Sequence, residues 1–123
     1  MTNVLMILIP LLIAVESEGN DRAVGDGGDS IGCLQIQTAC VQDVNRVYGT
    51  RYVWPDDCYD RGCATDICVK YLMHYGKFYT VKTGNRPTFE VYSRIWNGGP
   101  YGWRKSATDK YWDRVLNRMV RRW

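Results

Sequence analysis

A chain of 123 residues suits one domain and leaves no room for a second. Its 46% hydrophobic and 13% aromatic content supplies a real core, which excludes intrinsic disorder. Net charge is +3, but residues 1–60 hold three Lys/Arg against nine Asp/Glu and residues 61–123 hold thirteen against four. A basic second half favours an anionic partner, either nucleic acid or a phosphate-rich cell wall.

Helical periodicity dominates the chain, and no segment alternates cleanly as a strand does. The apolar run Val4 to Val15 has no Lys or Arg before it, is interrupted by Pro10 and is too short to span a bilayer. Glu16 stands where a signal cleavage site needs small residues. The run is therefore expected to be the buried first helix of the mature fold, over about 4–18, with any export signal absent or removed. Leu8, Leu11, Leu12 and Val15 share a stripe, Pro10 marks a kink or the first turn, and Gly19-Asn20 end the helix. Stable membrane insertion is not expected.

Residues 21–37 carry Gly25, Asp26, Gly27, Gly28, Asp29 and Gly32, which predict a small hairpin or irregular loop. A second helix is expected over about 39–48, with Val41, Val44 and Val47 or Tyr48 inward. An aromatic loop around Trp54-Pro55 fills 49–60. A third helix is expected over about 62–75, with Gly76 as its stop. A fourth runs from Thr88 to Asn97, where Gly98, Gly99 and Pro100 end it. The last, about 108–121, brings Trp112, Val115 and Met119 together and leaves Arg114, Arg118, Arg121 and Arg122 largely outside. There is no repeat and no linker.

Five cysteines, Cys33, Cys40, Cys58, Cys63 and Cys68, lie within 36 positions. They form no CxxC pair, and the lone His74 lies beyond them, which argues against a structural zinc site. One or two disulfides plus a free thiol are expected, hence an oxidising compartment. Cys58 or Cys63 would pin the aromatic loop to the third helix. Cys63 and Cys68 point to different helix faces and should not pair.

Glu16 ends an apolar helix just before a Gly-rich loop. Breaking a glycosidic bond needs a carboxylic acid that is still protonated near neutral pH. An apolar wall favours that neutral form, and a helix C-terminus pushes weakly the same way. A rise of two pKa units corresponds to about 2.7 kcal/mol. Five Trp and nine Tyr exceed what the core needs, and such rings often line grooves for ring-shaped ligands.

The order Glu16-Ser17, Gly19-Asn20, Gly32-Cys33-Leu34-Gln35-Ile36, Asn97-Gly98-Gly99-Pro100 resembles the lysozyme and soluble-lytic-transglycosylase superfamily. A lysozyme is the type case of the carboxyl tuning just described. Cys63-Ala64, the run Cys68 to Tyr75, Ser93-Arg94-Ile95-Trp96, Thr108 and Tyr111-Trp112 are similar to invertebrate-type lysozymes, over residues 12–116. The chain lacks most of that family's cysteines and is one residue shorter between Glu16 and Gln35. That leaves open a phage or bacterial cousin of the same fold.

The resemblance implies a mainly α, α+β lysozyme-like fold, with 1–123 as a single catalytic domain. A cleft would lie between the end of the first helix plus the Gly-rich loop and the Asn97 turn. The implied reaction is cleavage of the β-1,4 bond between N-acetylmuramic acid and N-acetylglucosamine, with Glu16 as general acid. Asp26, ten positions on in Asp26-Gly27-Gly28, would be the second carboxylate, with Asp29 the runner-up. Asp29, Ser30, Gln35, Asn97, Gly98 and Tyr101 would bind substrate. Gln35 would contact sugar or brace the loop, and Asn97 would cap the fourth helix with its amide facing the groove. The rings of Trp96, Tyr101 and Trp103 would stack on sugars.

No metal or organic cofactor is implied. The expected partners are peptidoglycan strands and anionic wall polymers, met by a monomer that is secreted, extracytoplasmic or a phage lysis protein. Alternatives are a lytic transglycosylase giving 1,6-anhydro products and an inactive glycan-binding relative. A nucleic-acid binder would use the last helix, but Trp123 is its only interleaved exposed aromatic, so no nucleic-acid partner is expected.

Overall fold

The computed structural model of the chain describes residues 2–122; Met1, Trp123 and the side chains of Thr2, Asn3 and Arg122 lie outside the described residues. Five helices, α1 (Thr2–Ser17), α2 (Thr38–Tyr48), α3 (Arg61–Thr83), α4 (Phe89–Gly98) and α5 (Asp109–Arg122), accompany strands β1 (Val24–Gly25) and β2 (Ser30–Ile31). The fold is mainly α with a small hairpin, as the glycine pattern and helical stripes predict. No helix among the described residues is long and apolar enough to cross a membrane. Two compact units divide the chain, one of residues 1–12 with 72–123 and the other of residues 13–71.

The 13–71 unit is organised around the glycine-rich hairpin. Strand β1 pairs antiparallel with β2 across a short 3-10 turn, Asp26–Gly28, and Ile31 makes a further bridge to Ile36. Gly32 is indispensable to this packing. Its φ is +80°, and a Cβ there would stand 1.9 Å from the Cys58 carbonyl oxygen. Trp54 Nε1 donates to the Ile36 carbonyl at 3.0 Å, and Asn45 Nδ2 donates to the Tyr52 carbonyl at 2.9 Å, so the 49–60 loop is pinned down. Ile31, Leu34, Ile36, Val41, Val44 and Ile67 form the buried apolar centre. Of the two inward candidates at the end of α2, Val47 is half-buried and Tyr48 is exposed, its hydroxyl donating to the Lys70 carbonyl at 2.9 Å.

All five cysteines belong to this unit, and all five are free thiols. The expected disulfide is thus not formed. Cys33, Cys58 and Cys68 are instead fully buried and pack as small apolar side chains. Burial pushes the Cys33 thiol up to about 11 and the Cys58 thiol up to about 12; Cys40 and Cys68 are pushed up as well, again chiefly by burial.

The other unit is helical. Leu5, Leu8, Ile9, Leu11 and Leu12 of α1 are buried, as are Leu72, Tyr92, Ile95, Tyr111 and Val115. Pro10 lies inside α1 rather than in its first turn, and faces solvent. Helix α3 does not stop at Gly76 but continues to Thr83, where Gly84 at φ +77° ends it. Gly76 serves close packing instead: a Cβ there would meet Tyr92 Cε1 at 2.8 Å and Pro87 Cγ at 3.3 Å. Thr88 caps α4 by accepting from the Val91 amide at 3.2 Å. On α5 Tyr111 and Val115 are buried, Trp112 and Met119 are half-buried, and Arg114 and Arg121 are exposed.

Candidate active site

Glu16 stands in the last turn of α1, half-buried. Its charge joins burial and Cys40 in raising the thiol of Cys68, which places the carboxylate near that buried sulfur. The next residue ties the helix end to the hairpin. Ser17 Oγ donates to the Cys33 carbonyl at 2.9 Å and accepts from the Asn20 amide at 3.1 Å. Glu18 and Gly19, at φ +54° and +85°, then reverse the chain in the left-handed region. Arg61 fixes that reversal from the start of α3, through a 2.8 Å ion pair with Asp21 and a hydrogen bond to the Gly19 carbonyl.

Asp26 begins the 3-10 turn at φ +51°, a conformation that L residues seldom adopt. Its side chain is exposed, yet its Oδ2 accepts a 2.6 Å hydrogen bond from Ser30 Oγ. Ser30 is only 2% exposed, and its oxygen in turn accepts from Gln37 Nε2 at 3.2 Å. A chain of donors thus runs from Gln37 through Ser30 to Asp26. Such a short hydrogen bond to a carboxylate is of the strong, charge-assisted kind. Asp29, the other candidate, is exposed and closes the turn through its backbone amide, which donates to the Asp26 carbonyl at 3.3 Å.

Gln35 also holds a left-handed conformation, φ +53°. Its Nε2 donates to the carbonyls of Gly32 (3.0 Å) and Ala23 (3.3 Å), so the amide braces the hairpin. Its Oε1 lies over Gly25, where a Cβ would approach it to 2.3 Å. Glu16, Asp26, Asp29, Ser30 and Gln35 therefore all belong to one compact unit. Among the described residues no group of three or more His, Cys, Asp or Glu could hold a metal ion.

Asn97, Gly98 and Tyr101 lie in the other unit, on one tightly held turn. Asn97 is exposed but does not cap α4: the helix runs on to Gly98, and Gly99 at φ +89° takes the C-cap. Arg94, largely buried, pairs with Glu90 (2.9 Å) and Asp109 (2.6 Å) and donates to Thr108 Oγ1 at 3.0 Å. Thr108 Oγ1 also bonds the Gly102 and Lys105 carbonyls at 2.9 and 2.8 Å. Gly98 and Gly102 have no space for a side chain, because a Cβ would strike Thr108 Cγ2 at 2.5 Å and the Arg94 carbonyl oxygen at 2.0 Å. Tyr101 stacks edge-on against Phe78 and lies under the Arg104 guanidinium, 4.3 Å from its ring centre.

Sequence reasoning missed Gln37 and the Arg94–Thr108 network. The signals for the latter were Glu90 four residues before Arg94 on one helix face and the place of Arg94 and Thr108 in the family resemblance; nothing in the pattern marked Gln37.

No family model matches the chain. It is 32% identical over 87 residues to Lysozyme 1 of Crassostrea virginica, covering 71% of this chain and 44% of that protein. Against a lysozyme of Ostrea edulis it is 33% identical over 88 residues, covering 72% of the chain and 59% of the relative. The chain thus spans about half the length of these curated relatives. In structure it is similar to a chain of the crystal structure of Aeromonas hydrophila PliI in complex with Meretrix lusoria lysozyme. That match has a TM-score of 0.75 at 27% identity and covers 89% of this chain and 86% of that one. Tapes japonica lysozyme matches with a TM-score of 0.72 at 25% identity, over 88% and 85%.

Proposed function

From its relationship to the invertebrate-type lysozymes of the lysozyme superfamily, we propose that this chain is a peptidoglycan hydrolase, with residues 1–123 acting as one catalytic domain. The named relatives are lysozymes, which are glycoside hydrolases. The bond cleaved is the β-1,4 linkage between N-acetylmuramic acid and N-acetylglucosamine. Glu16 donates its proton to the leaving glycosidic oxygen. Asp26 faces the positive charge that develops at the anomeric carbon, as nucleophile or as electrostatic stabiliser.

The observation that carries this reading is the 2.6 Å hydrogen bond from buried Ser30 to Asp26. It favours Asp26 over Asp29, because the Asp26 carboxylate is held in a fixed direction through one oxygen. In this reading Ser30 acts by positioning Asp26, and Gln35 by bracing the hairpin. Asp29, Asn97, Gly98 and Tyr101 are assigned to sugar contacts. The setting is extracytoplasmic, the partner is peptidoglycan with its anionic wall polymers, and the protein works as a monomer.

The test is turbidity loss on purified peptidoglycan followed by mass spectrometry of the fragments. Wild type should release products one water heavier than the 1,6-anhydro form. Glu16→Gln should lose several orders of magnitude in rate with unchanged thermal unfolding, and Asp26→Asn should be far weaker than Asp29→Asn. Glu16→Gln activity within about tenfold of wild type, barely 1.4 kcal/mol in barrier, would sink the assignment. Anhydro fragments as the main product would make the enzyme a lytic transglycosylase and Asp26 a turn residue.

A further inference from the structure

A concavity lies wholly within the unit of residues 1–12 and 72–123, and includes no residue assigned above to wall cleavage. One wall is a face of α3, where Met73, Gly76, Lys77, Thr80 and Val81 recur at three- and four-residue spacing. Val4 of α1, Pro87 and Tyr92 of α4 complete the apolar surface. The volume is about 740 Å³, within the roughly 300–1,000 Å³ usual for small-ligand sites. Gly76 shapes the wall: with no side chain at that point, Tyr92 and Pro87 close directly onto the helix.

Two features point to an occupant. Apolar residues at the site remain open to water, Val81 at 83% and Val4 at 37% exposure, so the cavity offers uncovered apolar surface. Lys77 and Arg86 are its charged lining residues, and neither takes part in an ion pair among the described residues. The unit carries eleven Lys/Arg against only three Asp/Glu, and two of those acids, Glu90 and Asp109, are paired with Arg94. An apolar pocket flanked by unneutralised cations complements a molecule with an apolar body and an anionic head. We propose that this pocket binds a free single-chain anionic amphiphile of the fatty-carboxylate class. A concave site of this volume admits one chain, whereas a bilayer would meet a flat or convex face.

Calorimetric titration of the full chain with dodecanoate and with dodecyltrimethylammonium, both below their micelle concentrations, tests this. Dodecanoate should bind one per chain, roughly tenfold or more tighter than the cationic amphiphile. The double variant K77E/R86E alters exposed positions only and should reverse that preference. Met73→Trp should fill the cavity and weaken both ligands, with the fold checked by thermal unfolding. Lysis of peptidoglycan stripped of its anionic polymers should be unchanged in all these variants, so the result does not depend on the reading of Glu16 and Asp26. Equal affinity for the two head groups, no binding of either, or an unchanged preference in K77E/R86E would overturn the proposal. So would sedimentation with phosphatidylglycerol vesicles in the absence of dodecanoate binding.

Discussion

Ser30 donates to Asp26 from a buried position, so its loss should be felt in the chemistry rather than in substrate affinity. A hydrogen bond to a charged group contributes about 1.5–3 kcal/mol. Ser30→Ala is therefore expected to lower kcat by roughly tenfold or more, while KM stays nearly constant. Steady-state kinetics on a soluble chitooligosaccharide or muropeptide substrate would check it, and a change confined to KM would return Ser30 to the sugar-contacting role that the family resemblance implied. Asp26 is a candidate in the sequence because an Asp-Gly-Gly turn follows the helix-ending Glu at close to the family's distance. The hydrogen bond from Ser30 to Asp26 could not be picked out, because a hydroxyl four residues along reveals its direction only once the turn is built. The thiols make a second prediction. Cys33 and Cys58 are held up to about 11 and about 12 by burial, against an ordinary 9.0. Above pH 9 the unfolded chain releases these protons while the folded chain keeps them, so the folded state binds more protons there. Their contribution to stability is thus full below about pH 9 and falls as pH rises toward 11–12. Urea midpoints should drop across that range, and Cys58→Ala should flatten the drop. Thiol titration of denatured, unreduced protein should find five free groups, and fewer would restore the expected disulfide.

The helices were legible because their buried faces repeat every three to four residues, and the hairpin because six turn-forming residues crowd into 25–32. Their ends were less so. Gly76 reads as a stop and is an interior contact point; Gly84 is the stop, since only there is φ positive. The two glycines should therefore fail differently on substitution. In Gly76→Ala the gain in helix propensity, up to about 1 kcal/mol, opposes a methyl group forced against Tyr92 at 2.8 Å. Overpacking of that kind costs about 1–3 kcal/mol, so a net loss of stability is expected. Gly84→Ala meets no neighbour, and its left-handed backbone alone should cost about 1–2 kcal/mol. Only the first loss should be relieved by Tyr92→Leu, which removes the opposing ring. Thermal unfolding of the single and double variants separates the cases, and a stabilised Gly76→Ala would show that the Tyr92 ring yields freely. The turn after α4 has the same lesson: Asn97 looks like a cap by residue type, but the helix runs on through Gly98, which packs closely against Thr108, and Gly99 at φ +89° ends it.

Across the whole chain the charge asymmetry seen between its halves sharpens when assigned to the compact units. Residues 1–12 and 72–123 carry eleven Lys/Arg against three Asp/Glu, whereas residues 13–71 carry five against ten. Fold stability does not require such a distribution, because surface charge contributes little to stability. It does bias association, since a like-signed patch concentrates oppositely charged polymer near itself. The unit that contains Glu16 and Asp26 is the acidic one, so on the proposed function any attraction to an anionic wall would have to come from the basic unit, α5 above all. Arg114 and Arg121 are exposed there, and α5 also carries Lys110 at an exposed position. Cleavage of walls rich in phosphate polymers should accordingly fall steeply as salt rises, because the Debye length shrinks from about 10 Å at 0.1 M to about 3 Å at 1 M. Peptidoglycan stripped of those polymers should show a much shallower dependence. The triple variant K110Q/R114Q/R121Q should make the two substrates behave alike at low salt, with unchanged kcat on the stripped wall. Equal salt slopes on both walls for the wild-type chain would mean that the basic unit faces some other anion, and that wall polymers play no part in recruitment.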